Sequence, residues 1–465
     1  MPTWGTVLAP QQITDLEIKG DENLKFDFAL GTEMEIIETV VVTASAKRNS
    51  ASNLMLLQQK SPGIVTGISA DQMKLSPDRS TGDVLKRVSG ASVQENKFVV
   101  IRGLADRYNS ALLNGLSLPS TEPDKRAFSF DIFPANMLDN LIIYKTSTPD
   151  LPSEWAGGLV QLNTKETPQE GFATLSLSTA YNSQSTFKNY QFYNGGKTDW
   201  LGLDDGTRAL PKSVENLSKD EFNANQTPNS LEFPNDWAVK TASSMRPALG
   251  VQFSAGKSFG NLGMVGALTY NRSPRITSGE RSDFLVDLSS LYQYFDQVYR
   301  NSVSVGALYN LAWKSARSKI QLNNTFSTTA EDQLLNRQGH DNDLASQIQA
   351  YSLYYRSNRL FISQLIGEHA LTERQIKLNW GISYNRSNRE VPSYRRMIYS
   401  KSDDAEANAP FYASVPSGSP SPNFAGNFYS VQDESSLNGR LDVTVPYFIS
   451  SQKGSFKAGG LVEGK

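Results

Sequence analysis

Two histidines, His340 and His369, and no cysteine set the first limit on the chemistry open to this 465-residue chain. Neither histidine has a second histidine or a cysteine at metal-ligand spacing. There is no Walker A loop, no G-x-G-x-x-G at a strand-to-helix junction and no nucleophile elbow. Asp204-Asp205-Gly206 offers carboxylates to calcium but lacks the oxygen-ligand spacing of a calcium loop, and a turn accounts for it. The sequence therefore reads as carrying no catalytic residue, no metal site and no cofactor; it is not an enzyme. Forty-five basic against 47 acidic residues leave no footprint for nucleic acid.

The residues with usable chemistry are those of recognition. In Glu38-Thr39-Val40-Val41-Val42-Thr43-Ala44 the valines favour extended backbone. The stretch is either an ordinary edge strand or an exposed peptide that a partner captures by strand addition, with main-chain hydrogen bonds supplying the affinity. Residues 45–60, with Ser45, Lys47, Arg48 and Asn49, read as a tether. Arg102 ends the apolar run Val99-Val100-Ile101 and precedes Gly103, while Arg107, Lys125 and Arg126 fall in loops. These cations are either solvated or paired with carboxylates on a surrounding wall. Buried pairs cost desolvation, so such pairs would serve registration and release more than stability. Asn114-Gly115 is a hairpin turn, Gly157-Gly158 opens an alternating strand that runs to Lys165, and Ser117 to Arg126 is a long polar loop.

These residues need a scaffold, and two kinds of element are legible. Leu85 to Lys165 is too polar for a membrane segment and too rich in turns for a bundle, so it reads as a small mixed α/β domain. From residue 171 the pattern changes to strict alternation. Leu175, Leu177 and Tyr181 alternate with Ser176, Ser178 and Ala180, and Ile376, Leu378, Trp380, Ile382 and Tyr384 with Lys377, Asn379, Gly381, Ser383 and Asn385. One apolar face and one small, polar face suit a wall between lipid and a wet interior. No run approaches the roughly 18 apolar residues of a spanning helix. Strands are expected at 171–181, 247–259, 261–271, 299–313, 318–329, 347–371, 374–387, 437–448 and 455–465. The connections between them alternate long (182–246, 272–298, 330–346, 388–436) and short, the rhythm of external loops and periplasmic turns. Nine strands is an odd number for a barrel, so the chain reads as a fragment short at both ends.

In order and at these separations, the motifs resemble TonB-dependent outer-membrane receptors of the form common in Bacteroidota-type bacteria. Glu38 to Ala44 resembles the TonB box. Pro62 to Lys165 resembles the plug, opened by Ile68-Ser69-Ala70-Asp71-Gln72 and carrying Asp83 to Val93, Ile101-Arg102-Gly103-Leu104, Leu113-Asn114-Gly115 and the Gly157-Gly158 strand. Residues 5–30 resemble the tail of a carboxypeptidase-regulatory-like sandwich. The resemblance implies a mainly β fold: a remnant sandwich at 1–31, TonB box and tether at 32–60, a mixed α/β plug at 61–168, and part of an antiparallel transmembrane β-barrel at 169–465, about nine of about 22 strands. It implies a location in the cell outer membrane with the plug and N-terminus on the periplasmic side. The partners it implies are TonB of the inner-membrane energy-transducing complex, outer-membrane lipid, an unidentified small ligand such as a siderophore or glycan, and a surface lipoprotein. The function it implies is import by energised displacement of the plug, with a plugged binding or signalling receptor as the alternative.

Overall fold

The computed structural model describes residues 50–465 apart from 77, 79, 96, 123–125, 167–170, 372–375, 416–424 and 450–451. The expected sandwich remnant at 1–31 and the segment Glu38 to Ala44 lie outside the described residues.

The first element is α1 (Ala51–Lys60), capped by the Ser50 hydroxyl, which accepts from Asn53 N. Next is β1 (Val65–Ser69), followed at once by α2 (Ala70–Lys74). Ser69 and Gln72 form a reciprocal capping box, satisfying two amides that a helix start otherwise leaves unbonded. After α3 (Thr81–Leu85) come β2 (Ala91–Gln94) and β3 (Phe98–Ile101), a separate hairpin. Then β4 (Asn109–Leu113), β5 (Leu116–Ser117), β6 (Leu138–Tyr144) and β7 (Gly158–Thr164) join β1 in one sheet, ordered β1-β6-β7-β4-β5. Asn114 and Gly115 link β4 to β5 with φ of 51° and 85°, the positive values a tight hairpin turn requires.

The wall begins with β8 (Phe172–Ala180). The connection after it holds a hairpin, β9 (Tyr190–Tyr193) with β10 (Val239–Ala242), and two short helices, α4 (Lys219–Ala224) and α5 (Gln226–Leu231). The wall then continues through β11 (Ala248–Phe259), β12 (Leu262–Phe284), β13 (Ser290–Lys314), β14 (Ser318–Asp341), β15 (Ser346–Ala370) and β16 (Lys377–Ser402). A two-residue strand β17 (Tyr412–Ala413) pairs with β16, and β18 (Gly426–Ile449) and β19 (Gln452–Gly464) complete the sheet. All neighbours are antiparallel. The nine expected strands are present in order, and 346–370 is one strand whose register shifts between Leu353 and Ser357.

Several strands run far beyond their expected ends. The expected loops 272–298 and 330–346 are largely strand, leaving connections at 285–289 and 342–345, and β16 and β18 take 388–402 and 426–436 from the expected loop 388–436. Apolar alternation stops near Arg272, but backbone pairing continues past it. Polar cross-strand links support the extension, such as Arg337 to both Asp296 oxygens at 2.7 Å and Tyr294 Oη to Asp341 at 2.6 Å.

The two faces of the wall differ as the pleat demands. On one, Gln321, Asn323, Thr325 and Ser327 of β14 and Ser383 and Asn385 of β16 are buried against the small domain. On the other, Leu268, Tyr309, Leu322, Phe361, Ile382 and Leu437 are exposed. Toward β12–β15 the inner face turns apolar: Val265, Ala267, Leu308, Leu360 and Ile362 share one core with Ile132, Phe133 and Met137. Gly306 permits this approach, because a Cβ there would lie 2.7 Å from both Met137 Cε and Pro134 Cγ.

Candidate functional site: the plug and the wall that holds it

The inner domain meets the wall at three heights, and the residues responsible follow from strand parity. At the end nearest the long connections, Arg389 continues the inward parity of Gly381 to Ser387 and its Nη1 binds Glu122. The Glu122 loop is tied to itself: Thr121 N donates to Ala127 O at 3.0 Å and Ser129 N to Thr121 Oγ1 at 2.7 Å. Lys97 stands beside this loop, and burial together with the adjacent Arg356 holds its ammonium pKa below the ordinary value.

At mid-height the links are side chains, most of them neutral, donating to main-chain carbonyls. Asn438 Nδ2 and Asn385 Nδ2 both reach Ser117 O, at 2.8 and 3.2 Å, and Gln364 Nε2 reaches Leu113 O at 2.9 Å. Arg440 Nη1 adds Gly115 O at 3.1 Å. At the opposite end Lys319 meets Glu166 at 2.9 Å, Lys457 meets Asp150 at 3.1 Å, and Asn310 donates to Lys165 O at 2.9 Å. A polar cavity of about 320 Å³ lies between domain and wall here, lined by groups including Gln161, Asn163, Gln321 and Asn379. Apart from the apolar contact at β12–β15, these are bonds that water can replace one at a time. Outside that apolar contact, the interface can be parted without stranding apolar surface.

Of the two readings open for the cations singled out in the sequence, solvated or paired with the wall, the described ones make no bond to the wall and contact their own domain. Arg102, with φ of 55°, donates from Nε to Gly157 O at 2.9 Å and from Nη2 to Ala156 O at 2.8 Å, bracing its own domain's last strand. Arg107 lies over the Tyr108 ring at 4.9 Å. Arg126 pairs with Glu154 in the same domain. Lys125 lies outside the described residues. The pairs across the interface run the other way from the paired alternative: the inner domain presents carboxylates at Glu122, Asp150 and Glu166, and the wall presents cations at Arg389, Lys457 and Lys319. The signal was there as charged residues at inward parity, Lys319 before Gln321 and Arg389 after Ser387.

Asn114 and Gly115 do touch the wall. Asn114 Nδ2 reaches Gln364 Oε1 at 2.8 Å while its Oδ1 accepts from Thr164 N at 2.9 Å, and Gly115 supplies the carbonyl that Arg440 binds. Gly103 takes φ of 77° beside Arg102, Gly157 leaves room for the Asn109 amide, and a Cβ on Gly158 would stand 2.7 Å from Ile101 Cδ1. Tyr292 and Tyr294 stack at 4.6 Å on the inward face between Arg281 and Arg337. The Asp204-Asp205-Gly206 turn is held by its own backbone. Asp205 accepts from Lys197 N at 2.7 Å and from Thr207 N at 3.1 Å, and these amides with the Thr207 hydroxyl lower its pKa to about 2.

Residues 57–159 match the family model described as TonB-dependent Receptor Plug Domain. This segment is a TonB-dependent receptor plug. The fold is therefore a plug seated in part of an antiparallel β-barrel wall. No curated protein sequence matches the chain. Solved structures similar to it include the ferric citrate transporter FecA in the unliganded form, at 11% identity over 87% of this chain and 60% of that one, with a TM-score of 0.34. The ferric-catecholate import receptor Fiu from E. coli K12 is 9% identical over 86% of this chain and 69% of that one, with a TM-score of 0.35. The RagAB peptide importer is 11% identical over 86% of this chain and 54% of that one, with a TM-score of 0.34. The chain spans 60% of the length of the FecA chain.

Proposed function

We propose that this chain is the plug-bearing part of an outer-membrane receptor that imports a scarce ligand, a siderophore, glycan or similar molecule, when TonB pulls the plug. The observation that carries the reading is the two-faced wall: a plug held largely by polar bonds on one face, and on the other an apolar band broken only locally, as at the bonded pair Asn324 and Ser363. That band runs on β12 from Leu262 to Tyr270 and on β13 from Trp313 to Val305, and it ends where Arg272, Arg359 and Arg386 begin. Its height matches the roughly 9 to 11 tilted residues that cross a bilayer core. Trp313 and Trp380 near one edge and Tyr270 and Tyr384 near the other fit aromatic girdles.

Under this reading Glu38 to Ala44 is the TonB box, the stretch before it the tail of a carboxypeptidase-regulatory-like domain, and the chain of the Bacteroidota type. The plug faces the periplasm, and a surface lipoprotein is a further partner. Catalysis has no part in it. The absence of cysteine provides the test. In the full-length protein, Val41→Cys should form a disulfide with a cysteine-bearing TonB in cells, and one candidate ligand should strengthen it. No crosslink under any ligand condition, with the protein correctly in the outer membrane, would sink the energised-import reading.

A further inference from the structure

The connection 182–246 is the first of the long connections that carry the rhythm of external loops. Strand parity shows which side of the wall it takes. On β14, Ser327 points inward and donates to Ile132 O of the plug, so Thr328 must point outward. Thr328 Oγ1 donates to Gly202 O of the connection at 2.8 Å, and a Cβ on Gly202 would meet Ala330, two residues on and on the same outward face. The same parity holds along the unshifted pairing of β12 to β15. Ile276, Tyr299, Leu334 and Leu353 all share the outward face of Leu268, Tyr309, Leu322 and Phe361, and they form a core with Tyr193, Tyr190 and Val239 of the β9–β10 hairpin. That core is separate from the plug's. The connection is a strap across the outside of the wall.

One residue fastens it. Arg208, whose side chain is 6% exposed, binds Asp199 through both terminal nitrogens and Asp204 through Nε at 3.2 Å, and its guanidinium lies 3.9 Å from the Tyr355 ring centroid on the wall. Although the strap's interior is this well closed, it leaves large apolar side chains uncovered along one margin. Trp200 is 59% exposed with its ring 6.5 Å from Tyr270, the last ring of the outer apolar band on β12. Tyr181 and Phe187, 6.5 Å apart, are 70% and 64% exposed, and Tyr181 continues the outward parity of Leu175 and Leu177.

We infer that the strap's Trp200 margin is a lipid-interface anchor, seating its rings at headgroup level in the outer leaflet and extending the wall's own aromatic girdle with residues from a loop. The inference rests on the membrane reading above. Continuity names the occupant: the margin abuts the band at Tyr270, where Arg272 marks the band's end. Trp and Tyr rings, apolar in body with a polar edge, are favoured at that depth.

The test uses the full-length protein in phosphatidylcholine vesicles, with any cysteine outside these 465 residues replaced by serine. A bimane fluorophore is placed at Trp200→Cys, at Tyr181→Cys, or at Leu268→Cys in the band. Lipids carry a nitroxide either on the headgroup or deep in the acyl chain. Emission at Trp200→Cys and Tyr181→Cys should fall more with the headgroup label, and at Leu268→Cys more with the deep label. If Leu268→Cys is quenched while both strap sites are unaffected by either lipid and open to aqueous iodide, the anchor is refuted and the membrane reading stands. If Leu268→Cys is also unquenched, both fall.

Discussion

Removing Glu122 should loosen the plug's apical loop without unfolding the wall. Glu122 and Arg389 are 9% and 17% exposed at the side chain, so solvent screens their attraction little. Breaking a buried pair by removing one partner costs about 3–5 kcal/mol, most of it from the charge left behind. The low end applies, because Arg389 retains some contact with water. About 3 kcal/mol corresponds to a factor of roughly 100 in the opening equilibrium. Glu122→Ala should therefore lower hydrogen-exchange protection of the Thr121 and Ser129 amides about 100-fold, since their partners at Ala127 O and Thr121 Oγ1 lie within the same loop. Amides in β14 and β15 should not change. Arg389→Ala should give a similar loss, and the double variant no more than either, because two side chains in contact are not additive. Unchanged protection in Glu122→Ala, or additive losses, would show that the pair does not clamp the loop.

Arg208→Met should free the strap by stranding Asp199 and Asp204, and the added local unfolding should greatly raise trypsin cleavage at the surface residues Lys212, Lys219 and Lys240. Adding Asp199→Asn should recover part of the resistance, and equal cleavage in all three proteins would count against the fastening role. Gly306→Ala should weaken plug seating by about 1–3 kcal/mol through overpacking against Met137 and Pro134, read as faster exchange in the 130–137 segment with β4 and β7 amides less affected. The plug should also lose stability in acid. Burial raises the pKa of Asp78 and of Asp150, but bonds from Arg87 and Ser76 to the first and from Thr148 and Lys457 to the second outweigh it, leaving both below 3.8. Carboxylates depressed in the folded state contribute above their unfolded pKa and lose that contribution as pH falls through the folded one. Plug protection should therefore hold at pH 5 and decline below about 3.8, and Asp78→Asn should flatten that decline.

Much of this was legible in the order of residues, for local reasons. A two-residue period fixes which side chains share a face whatever the strand packs against, so Ile382 and Tyr384 opposite Ser383 and Asn385 already described a wall between unlike solvents. The Asn114-Gly115 hairpin is likewise set within a few residues. Strand length was less visible, because the upper halves of β12 to β16 are held by polar pairs such as Arg337 with Asp296, which leave no apolar rhythm. The charge pattern of the plug's grip was decided only in three dimensions. Arg102 looks in sequence like a hand held out to a partner, yet it is spent on the carbonyls of Ala156 and Gly157, and the long-range pairs belong to Glu122, Asp150 and Glu166. The course of residues 182–246 was hidden for the same reason. A connection of that length reaches either side of a sheet, and only the packing of Tyr193 and Arg208 against outward-facing Leu334 and Tyr355 selects the outside.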